Sequence, residues 1–339
     1  MKITIRHLGA CLALLPLAAL AQNTVFHTTF GSDSLNQAAY TPTSSSTNWD
    51  IASSKNSTST SLTGSGLNLT LPSTSSGYVE AQTTFSNSGV TLSTVGDYIT
   101  VKTVFTANSN ILAGISGGSW LAIGLYDSNG SKPLNTLNNS ALTTGNATYA
   151  SGGTVGWEGY SAVIRADNAV GNSAGSSAVT FRPAQTTGTL TSAAQALSYS
   201  GSGGYFYPAG TNLNTSNTDA ATGDALTNGN TYTLTYNILL SAANTYTIST
   251  NLYDGNGTTG TNLATISGTA AGATFLTGPF DGLMIGYRYS NTSATSNLTL
   301  TDVLITSNVA SAVPEPSTYA ALVGLAALGF VGWRRRRTA

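Results

Sequence analysis

Apolar side chains recur at every second position along much of this chain. The clearest stretch places them at Tyr232, Leu234, Tyr236, Ile238 and Leu240. After a Ser-Ala-Ala-Asn loop, the alternation resumes from residue 246 to residue 252. A period of two is the repeat of a β-strand with one buried face, because successive side chains point to opposite sides of a strand. The pattern therefore predicts an antiparallel hairpin.

Similar short runs are spread over the rest of the chain. Each combines alternating apolar positions with β-branched or aromatic residues, which favour strands. The predicted strands centre on Leu67 to Leu71, Val79 to Phe85, Ile99 to Phe105, Leu121 to Leu125, Val155 to Ile164, Leu283 to Tyr289 and Leu298 to Ile305. Turn signals separate some of these runs, including Asp-Ser-Asn-Gly at 127–130 and Asp-Gly-Asn-Gly at 254–257.

No amphipathic helix pattern precedes Val313, so the chain lacks helices that could cover a parallel sheet. We therefore predict an all-β fold in which two antiparallel sheets pack face to face in one jelly-roll-like sandwich, from residue 22 to residue 308. Three turn-rich stretches, 41–66, 167–195 and 209–229, are expected to be loops.

Two segments resemble a known group of sandwiches. The pattern of strand residues resembles that of the concanavalin A-like lectins and glucanases in GSWLAIGLYDSNG, from Gly118 to Gly130, and in GPFDGLMIGYRYSNTSATSNLTLTDVLITS, from Gly278 to Ser307. The resemblance implies a β-sandwich. It includes no diagnostic motif, so it assigns no site residue.

The N-terminus has the pattern of a secretory signal peptide. A basic start with Lys2 and Arg6 precedes an apolar run, and Ala19 and Ala21 form an A-x-A cleavage site before Gln22. We expect signal peptidase to remove residues 1–21. Export would follow from this signal.

Cleavage at Gln22 would remove Cys11, the one cysteine of the chain. The mature protein would then have no disulfide, no thiolate metal ligand and no cysteine nucleophile. His27 would be its only histidine, and it lacks the G-x-S-x-G context of a serine hydrolase. We interpret His27 as a polar residue on the first strand.

The C-terminal tail combines three signals within residues 313–337. Val313, Pro314, Glu315 and Pro316 precede seventeen mostly apolar or small residues, 317–333, and then Arg334, Arg335, Arg336 and Arg337. At about 1.5 Å per residue, a helix of that length would reach roughly 25 Å and span a thin membrane. The arginines would remain in the cytoplasm by the positive-inside rule. A simple tail anchor with an incidental Pro-Glu-Pro is the alternative.

This order of Pro-Glu-Pro, apolar helix and arginine run resembles the PEP-CTERM sorting signal of Gram-negative bacteria. The resemblance covers the last 25 or so residues and implies recognition by exosortase, a membrane protease or transpeptidase. It implies a protein anchored in the inner membrane by residues 317–333, with the basic tail 334–339 inside, until it is processed and reaches the cell surface or the medium. The linker 309–316 carries the motif. The same tail is also known as an ice-binding protein C-terminal domain, which describes the tail and not the body.

The body between the two signals is acidic. Between Gln22 and Ala312 there are six basic and twelve acidic residues, which gives a formal charge of −6. A weakly charged, acidic surface does not favour nucleic acid as a partner. We expect none, and we expect no cofactor and no metal, because the two Asp-rich turns do not form a calcium loop.

Aromatic residues beside polar ones mark the candidate ligand-binding positions. They occur in the segment Gly-Trp-Glu-Gly-Tyr and in the segment Gly-Tyr-Phe-Tyr-Pro, and stacking of rings on sugars is the interaction they would offer. The candidates are Trp157, Glu158, Tyr160, Tyr205 and Tyr207.

Three functions remain open for the body. Glycoside hydrolysis needs two carboxyl groups about 5 to 10 Å apart, and Glu80 and Glu158 are the only glutamates of the folded region, in no clustered motif. We therefore favour polysaccharide binding over an enzyme, and we predict no catalytic residue. A structural role in an extracellular matrix is the third reading.

Overall fold

A computed structural model describes residues 22–37, 40–53, 58–73, 77–112, 119–133, 153–165, 177–184, 197, 211–219, 226–289 and 294–309. These residues form seventeen strands, numbered here in chain order, arranged as two sheets. The all-β sandwich predicted from the alternation is thereby confirmed.

The first sheet has nine strands. In spatial order it contains β12 (Asn214–Asp219), β15 (Asn262–Ala271), β14 (Thr245–Asp254), β13 (Thr231–Ala242), β7 (Tyr98–Ser109), β17 (Ser296–Ser307), β5 (Gly66–Leu71) and β4 (Ser59–Thr63). The short β1 (Asn23–Thr28) pairs with the C-terminal half of β17, on the edge that β5 occupies at the other half. All pairs in this sheet are antiparallel.

The second sheet has eight strands. In spatial order it contains β11 (Thr211–Asn212), β10 (Ala178–Arg182), β9 (Glu158–Arg165), β8 (Trp120–Asp127), β16 (Gly282–Tyr289), β6 (Gly77–Thr84), β3 (Asn48–Ser53) and β2 (Ser34–Leu35). Its pairs are antiparallel except for β2 with β3. Single 3-10 turns lie at Gly153–Gly156 and Gly272–Thr274.

The predicted hairpin is β13 and β14, in which Tyr232 faces Asp254 and Leu240 faces Tyr246. Three expected loops were wrong in part. The stretch 41–66 contains β3 and β4, the stretch 167–195 contains β10, and the stretch 209–229 contains β11 and β12. β12, with the sequence NTSNTD, has no apolar alternation because it is an edge strand that forms by pairing with β15.

The core between the sheets is apolar and rich in aromatic residues. Tyr160 lies at its centre, with ring centroids 5.6 Å from Phe181, 5.8 Å from Tyr246 and 6.1 Å from Phe280. The Tyr160 hydroxyl donates to the carbonyl of Thr274 at 2.7 Å and accepts from the backbone N–H of Leu276 at 3.0 Å. The buried hydroxyl group of Tyr160 therefore has both a hydrogen-bond acceptor and a hydrogen-bond donor as partners.

Within the described ranges, no helix is long and apolar enough to cross a membrane. The helix predicted at 317–333 lies outside those ranges, as do the basic tail 334–339 and the signal peptide 1–21.

Candidate functional site

The two sheets differ in what covers their outer faces. In β13, β14 and β15 of the nine-stranded sheet, buried positions largely alternate with partly or fully exposed ones. In β3, β8 and β10 of the eight-stranded sheet, every position is buried. A second apolar cluster covers this outer face; it contains Tyr78, Trp120, Ala122, Tyr126, Trp157, Val163, Leu197 and Met284.

Charged side chains lie within this covered face, where they are costly unless they are paired. Arg165, Arg182 and Arg288 are all the arginines between Gln22 and Ala312, and each occupies an outward position in this one sheet. Glu80 is fully buried on the same face, and Asp50 is nearly so. We take this face as the candidate functional site because clustered buried charges often mark one.

Strand register places arginines next to aromatic rings at one end of the sheet. Arg288 is the partner of Tyr78 on one side and of Trp120 on the other, and Trp120 is the partner of Arg165. Partners in antiparallel strands project to the same face, with Cβ atoms about 5 Å apart. We call Tyr78, Arg288, Trp120 and Arg165 the arginine–aromatic row. Arg288 is its partly exposed member.

The next row contains Glu80 and mostly small residues. Gly286 is the partner of Glu80 and of Ala122. A Cβ on Gly286 would lie 2.7 Å from Cγ of Glu80, so glycine makes room for the carboxylate to lie across the sheet. Gln82 donates its amide to Glu80 Oε2 at 3.0 Å.

Leu197 lies over this row. Its backbone N–H donates to Glu80 Oε2 at 2.9 Å, and its carbonyl accepts from the Tyr126 hydroxyl at 2.8 Å. One peptide position thus connects a carboxylate and a phenol that stand on different strands. Leu197 is 1% exposed and belongs to the same apolar cluster as Ala122.

Tyr126, Arg182 and Trp157 form the far side of the face. A guanidinium nitrogen of Arg182 donates to the carbonyl of Trp157, and the Trp157 ring lies 6.0 Å from that of Tyr126. Burial lowers the pKa of Arg182 to about 10, against the opposing influence of Tyr126 and Glu80. Burial raises the pKa of Tyr126 above its ordinary value. At neutral pH the site therefore combines a guanidinium cation with a neutral hydroxyl donor.

Asp50 borders the site on β3. It is the register partner of Gln82, and the amide of Asn48 donates to its Oδ2 at 2.7 Å. Burial raises the pKa of Asp50 to about 7, although the Asn48 hydrogen bond acts in the opposite direction. Asp50 can therefore carry or release a proton near neutral pH.

The structure separates two of the predicted ligand-binding residues. Trp157 belongs to the outer-face cluster, whereas Tyr160 belongs to the core between the sheets. Both side chains are 0% exposed. Glu158 is partly buried and pairs with Asp127 at the end of β8. The segment therefore offers no joint stacking surface, and Trp157 alone of the three lies among the residues of the candidate site.

The remaining predicted positions lie outside the described residues. They are Tyr205 and Tyr207, the cleavage positions Ala19 and Ala21, and the sorting residues Val313 to Pro316 and Arg334 to Arg337. Gln22 is described, and its amide donates to the Thr306 hydroxyl of β17 at 2.6 Å.

The turn at 127–130 is fixed by two carboxylates, one from the turn itself and one from the residue before β16. Asp281 accepts from the backbone N–H and the hydroxyl of Ser128 at 2.7 and 2.6 Å, and Asp127 accepts from the N–H of Asn129 at 2.8 Å. In the part of the chain that the structure describes, no three His, Cys, Asp or Glu side chains cluster so as to hold a metal ion.

Sequence reasoning missed Asp50, Tyr126, Leu197 and the three arginines. The positions of the arginines could have indicated the site. Only six basic residues lie between Gln22 and Ala312, yet Arg165 and Arg182 end apolar strands and Arg288 lies within one. The register that brings them to one face could not be read from the sequence.

Comparison with known proteins identifies the tail. Residues 312–337 match the model of the PEP-CTERM protein-sorting motif. The resemblance found from the order of Pro-Glu-Pro, apolar run and arginines is thereby confirmed, and it concerns these residues alone. No curated protein sequence matches the chain.

Solved structures similar to the chain include lectins and polysaccharide-degrading enzymes. Peanut lectin matches with a TM-score of 0.36 and 12% identity, over 85% of this chain and 97% of the lectin. An endo-1,3-β-glucanase from Streptomyces sioyaensis gives 0.35 and 12%, over 84% and 96%. The PL-14 alginate lyase from Aplysia kurodai gives 0.40 and 9%, over 84% and 98%. At such TM-scores and identities, these similarities carry no argument about the fold family or the activity of this chain.

Proposed function

We propose that this protein is exported, sorted by an exosortase-type system, and binds an acidic polysaccharide through the outer face of its eight-stranded sheet. The sorting motif at 312–337 supports recognition by exosortase. The A-x-A pattern before Gln22 supports export through signal peptidase. In this proposal residues 317–333 hold the precursor in the membrane until the tail is processed, after which the body is at the cell surface or outside the cell.

The arginine–aromatic row is the observation that carries the binding proposal. The body has a formal charge of −6, yet its three arginines lie on one face of one sheet. A planar guanidinium binds carboxylate or sulfate in a bidentate manner. An aromatic face packs against the apolar side of a sugar ring. Alternation of the two groups across β9, β8, β16 and β6 would suit a chain of charged sugars that displaces what covers Tyr78, Trp120 and Arg165, since these three are buried and only Arg288 is partly exposed.

Leu197 occupies the middle of this face, so a bound polysaccharide would take its place. The peptide group of Leu197 supplies one donor to Glu80 and one acceptor to Tyr126. A sugar hydroxyl supplies the same two functions from one atom. The exchange would leave both buried groups hydrogen-bonded, which avoids the cost of an unsatisfied polar group.

Binding can be tested with the full chain against a polyuronate, a sulfated polysaccharide and a neutral glucan. We expect binding to an acidic polymer, and we expect Arg288→Gln to weaken it about tenfold, the loss typical of one charge-assisted contact. Lys102→Gln is the matched control, because it removes one positive charge from the opposite sheet. Leu197→Gly should strengthen binding by reducing the competing packing.

Equal effects of Arg288→Gln and Lys102→Gln would contradict the proposed site. Failure to bind any polymer would contradict the function and favour a structural role in the matrix. An unfolding curve for each variant separates loss of binding from loss of fold.

A glycoside hydrolase is the second candidate, because two carboxylates lie on this face. Asp50 faces Gln82 and Ala52 faces Glu80, so Asp50 and Glu80 are diagonal neighbours on adjacent strands. Such strand positions are roughly 7–8 Å apart, and glycosidases hold their two carboxyl groups about 5 to 10 Å apart. Burial raises the pKa of Asp50 to about 7, which suits a general acid. Release of reducing ends from the same polymers, abolished by Asp50→Asn and by Glu80→Gln, would favour catalysis; no release from any polymer would exclude it.

Processing of the tail has its own test. In cells with an exosortase, we expect mass spectrometry of the surface or secreted protein to find no peptide containing Arg334 to Arg337. In cells without the exosortase, the arginines should remain and the protein should stay in the membrane fraction. Intact arginines on the mature surface form would contradict the sorting proposal.

A further inference from the structure

An open cavity lies at the surface of the sandwich, and none of its lining residues is an arginine. Its volume is about 340 Å³, which falls at the lower end of the range for small-molecule sites, roughly 300–1,000 Å³. It is formed by three chain segments that meet there: the segment after β6, the turn between β13 and β14, and the segment after β15. The lining residues are Thr91, Leu92, Ser93, Val95, Leu240, Ala243, Asn244, Phe275 and Thr277.

We infer that this cavity binds one ring of a neutral sugar, with the ring stacked on Phe275. Phe275 is partly exposed, and it stacks on the buried Tyr246 with ring centroids 4.6 Å apart and planes at 29°. Tyr246 is in turn fixed by its hydroxyl, which donates to the carbonyl of Leu276 at 2.9 Å. The Phe275 ring is thus backed by a rigid partner, and the cavity lies beside it.

Polar groups around the cavity are available to a ligand. Thr91, Ser93, Asn244 and Thr277 are all exposed, and within the described ranges their side chains make no hydrogen bond to protein. Nearby hydroxyl groups, in contrast, are hydrogen-bonded to protein: Ser241 donates to the carbonyl of Thr245 at 3.3 Å, and Thr247 donates to Ser241 at 2.9 Å. The cavity therefore combines an aromatic surface with a rim of unengaged hydroxyl and amide groups, which is the combination that a sugar ring requires.

The walls are held in place before any ligand binds. Asp97 accepts from the backbone N–H groups of Ser93 and Thr94 at 2.9 and 2.8 Å, which fixes the turn that carries Val95. Gly96 donates to the carbonyl of Leu240, and Leu240 donates to that of Asp97, so this turn is also bonded to the end of β13. A preorganised site loses less entropy on binding.

Charge and exposure determine the class of sugar. No Asp, Glu, Lys or Arg lines the cavity, and the carboxylate of Asp97 lies in the turn that forms one wall. An anionic sugar would gain no counter-charge there and would be repelled by Asp97. Val95 is 58% exposed, the one large hydrophobic residue so exposed among the described residues, and a ligand in the cavity would cover part of it. The inferred ligand is therefore uncharged, in contrast to the acidic polymer proposed for the outer face of the eight-stranded sheet.

The test is calorimetric titration of the full chain with a panel of neutral oligosaccharides based on glucose, galactose and mannose. We expect one of them to bind, and we expect Phe275→Ala to weaken it about tenfold. Phe275→Trp should bind at least as tightly as the wild type, because it enlarges the aromatic surface. Tyr253→Ala is the control, since Tyr253 is a partly exposed aromatic residue on β14 that does not line the cavity.

Asn244→Gly tests the rim without disturbing the fold. Asn244 has a φ of 55°, a conformation that glycine adopts readily, so the turn should persist while the amide is lost. We expect several-fold weaker binding. Absence of binding across the panel, or wild-type affinity in both Phe275→Ala and Asn244→Gly, would overturn the inference. Arg288→Gln should leave neutral-sugar binding unchanged. The test of the cavity is therefore independent of the test of acidic-polysaccharide binding.

Discussion

Replacement of Tyr160 with alanine will lower the free energy of unfolding by about 3–5 kcal/mol, the usual cost of deleting a large buried aromatic ring. The side chain is 0% exposed and contacts the rings of Phe181, Tyr246 and Phe280. Its removal leaves a cavity between the two sheets and deprives the N–H of Leu276 of its acceptor. Urea unfolding followed by tryptophan fluorescence measures the change.

Tyr160→Phe separates the ring from the hydroxyl. It keeps the packing and removes the bonds to Thr274 and Leu276, so we expect a loss of about 1–2 kcal/mol. Tyr253→Ala is the matched control on the outer face of the nine-stranded sheet and should change stability by less than about 1 kcal/mol. Wild-type stability of Tyr160→Ala would contradict its central position. A pure ligand-binding role for Tyr160 would predict that outcome, so the variant also decides between the two roles.

Stability will depend on pH through Asp50. Burial raises the pKa of Asp50 from 3.8 to about 7, so the folded protein holds a proton that the unfolded chain has already released between pH 4 and pH 7. The free energy of unfolding therefore falls as the pH rises through this window. The contribution of Asp50 to the free energy of unfolding is at most about 4 kcal/mol, because its pKa differs by about three between the folded and unfolded states and one pKa unit corresponds to about 1.4 kcal/mol. Urea unfolding at intervals from pH 4 to pH 8 measures it.

Asp50→Asn should remove most of this slope and make the protein more stable than the wild type above pH 7. Asparagine keeps an oxygen that accepts the Asn48 hydrogen bond, so the packing is preserved. A residual slope of the same sign is expected from Asp281, because burial also raises the pKa of its carboxyl. Asp254→Asn, at the exposed C-terminal end of β14, is the control. An unchanged slope in Asp50→Asn would show that Asp50 is not desolvated.

The nine-stranded sheet was the predictable half of this molecule. Its outer face is partly open to solvent, so β13 and β14 alternate clearly between buried and exposed positions. The eight-stranded sheet is covered on both faces. In strands such as β8, which is buried at all eight positions, apolar and polar residues therefore need not alternate. Its inward residues Leu121, Ile123 and Leu125 could be predicted, but the role of the outward ones could not.

The candidate site was less predictable than the fold because it depends on strand order. Tyr78, Arg288, Trp120 and Arg165 meet only because β6, β16, β8 and β9 are neighbours in that order, which the period of each strand does not specify. One error could have been avoided. Trp157 directly precedes β9 and Tyr160 lies three positions further on, and an odd separation in an extended chain places side chains on opposite faces.

β17 also has a mechanical consequence. Any force applied to the body through the sorting tail enters at the C-terminal end of β17, which is bonded to β7 on one edge and to β5 and β1 on the other. A pull along this strand loads both ladders in shear, so many hydrogen bonds resist together instead of opening one by one. Residues 23–28 and 303–307 are paired there, so hydrogen bonds from the first strand of the body hold the last strand in place. The last strand of the body is thus hydrogen-bonded along both edges just before the chain continues into the sorting motif.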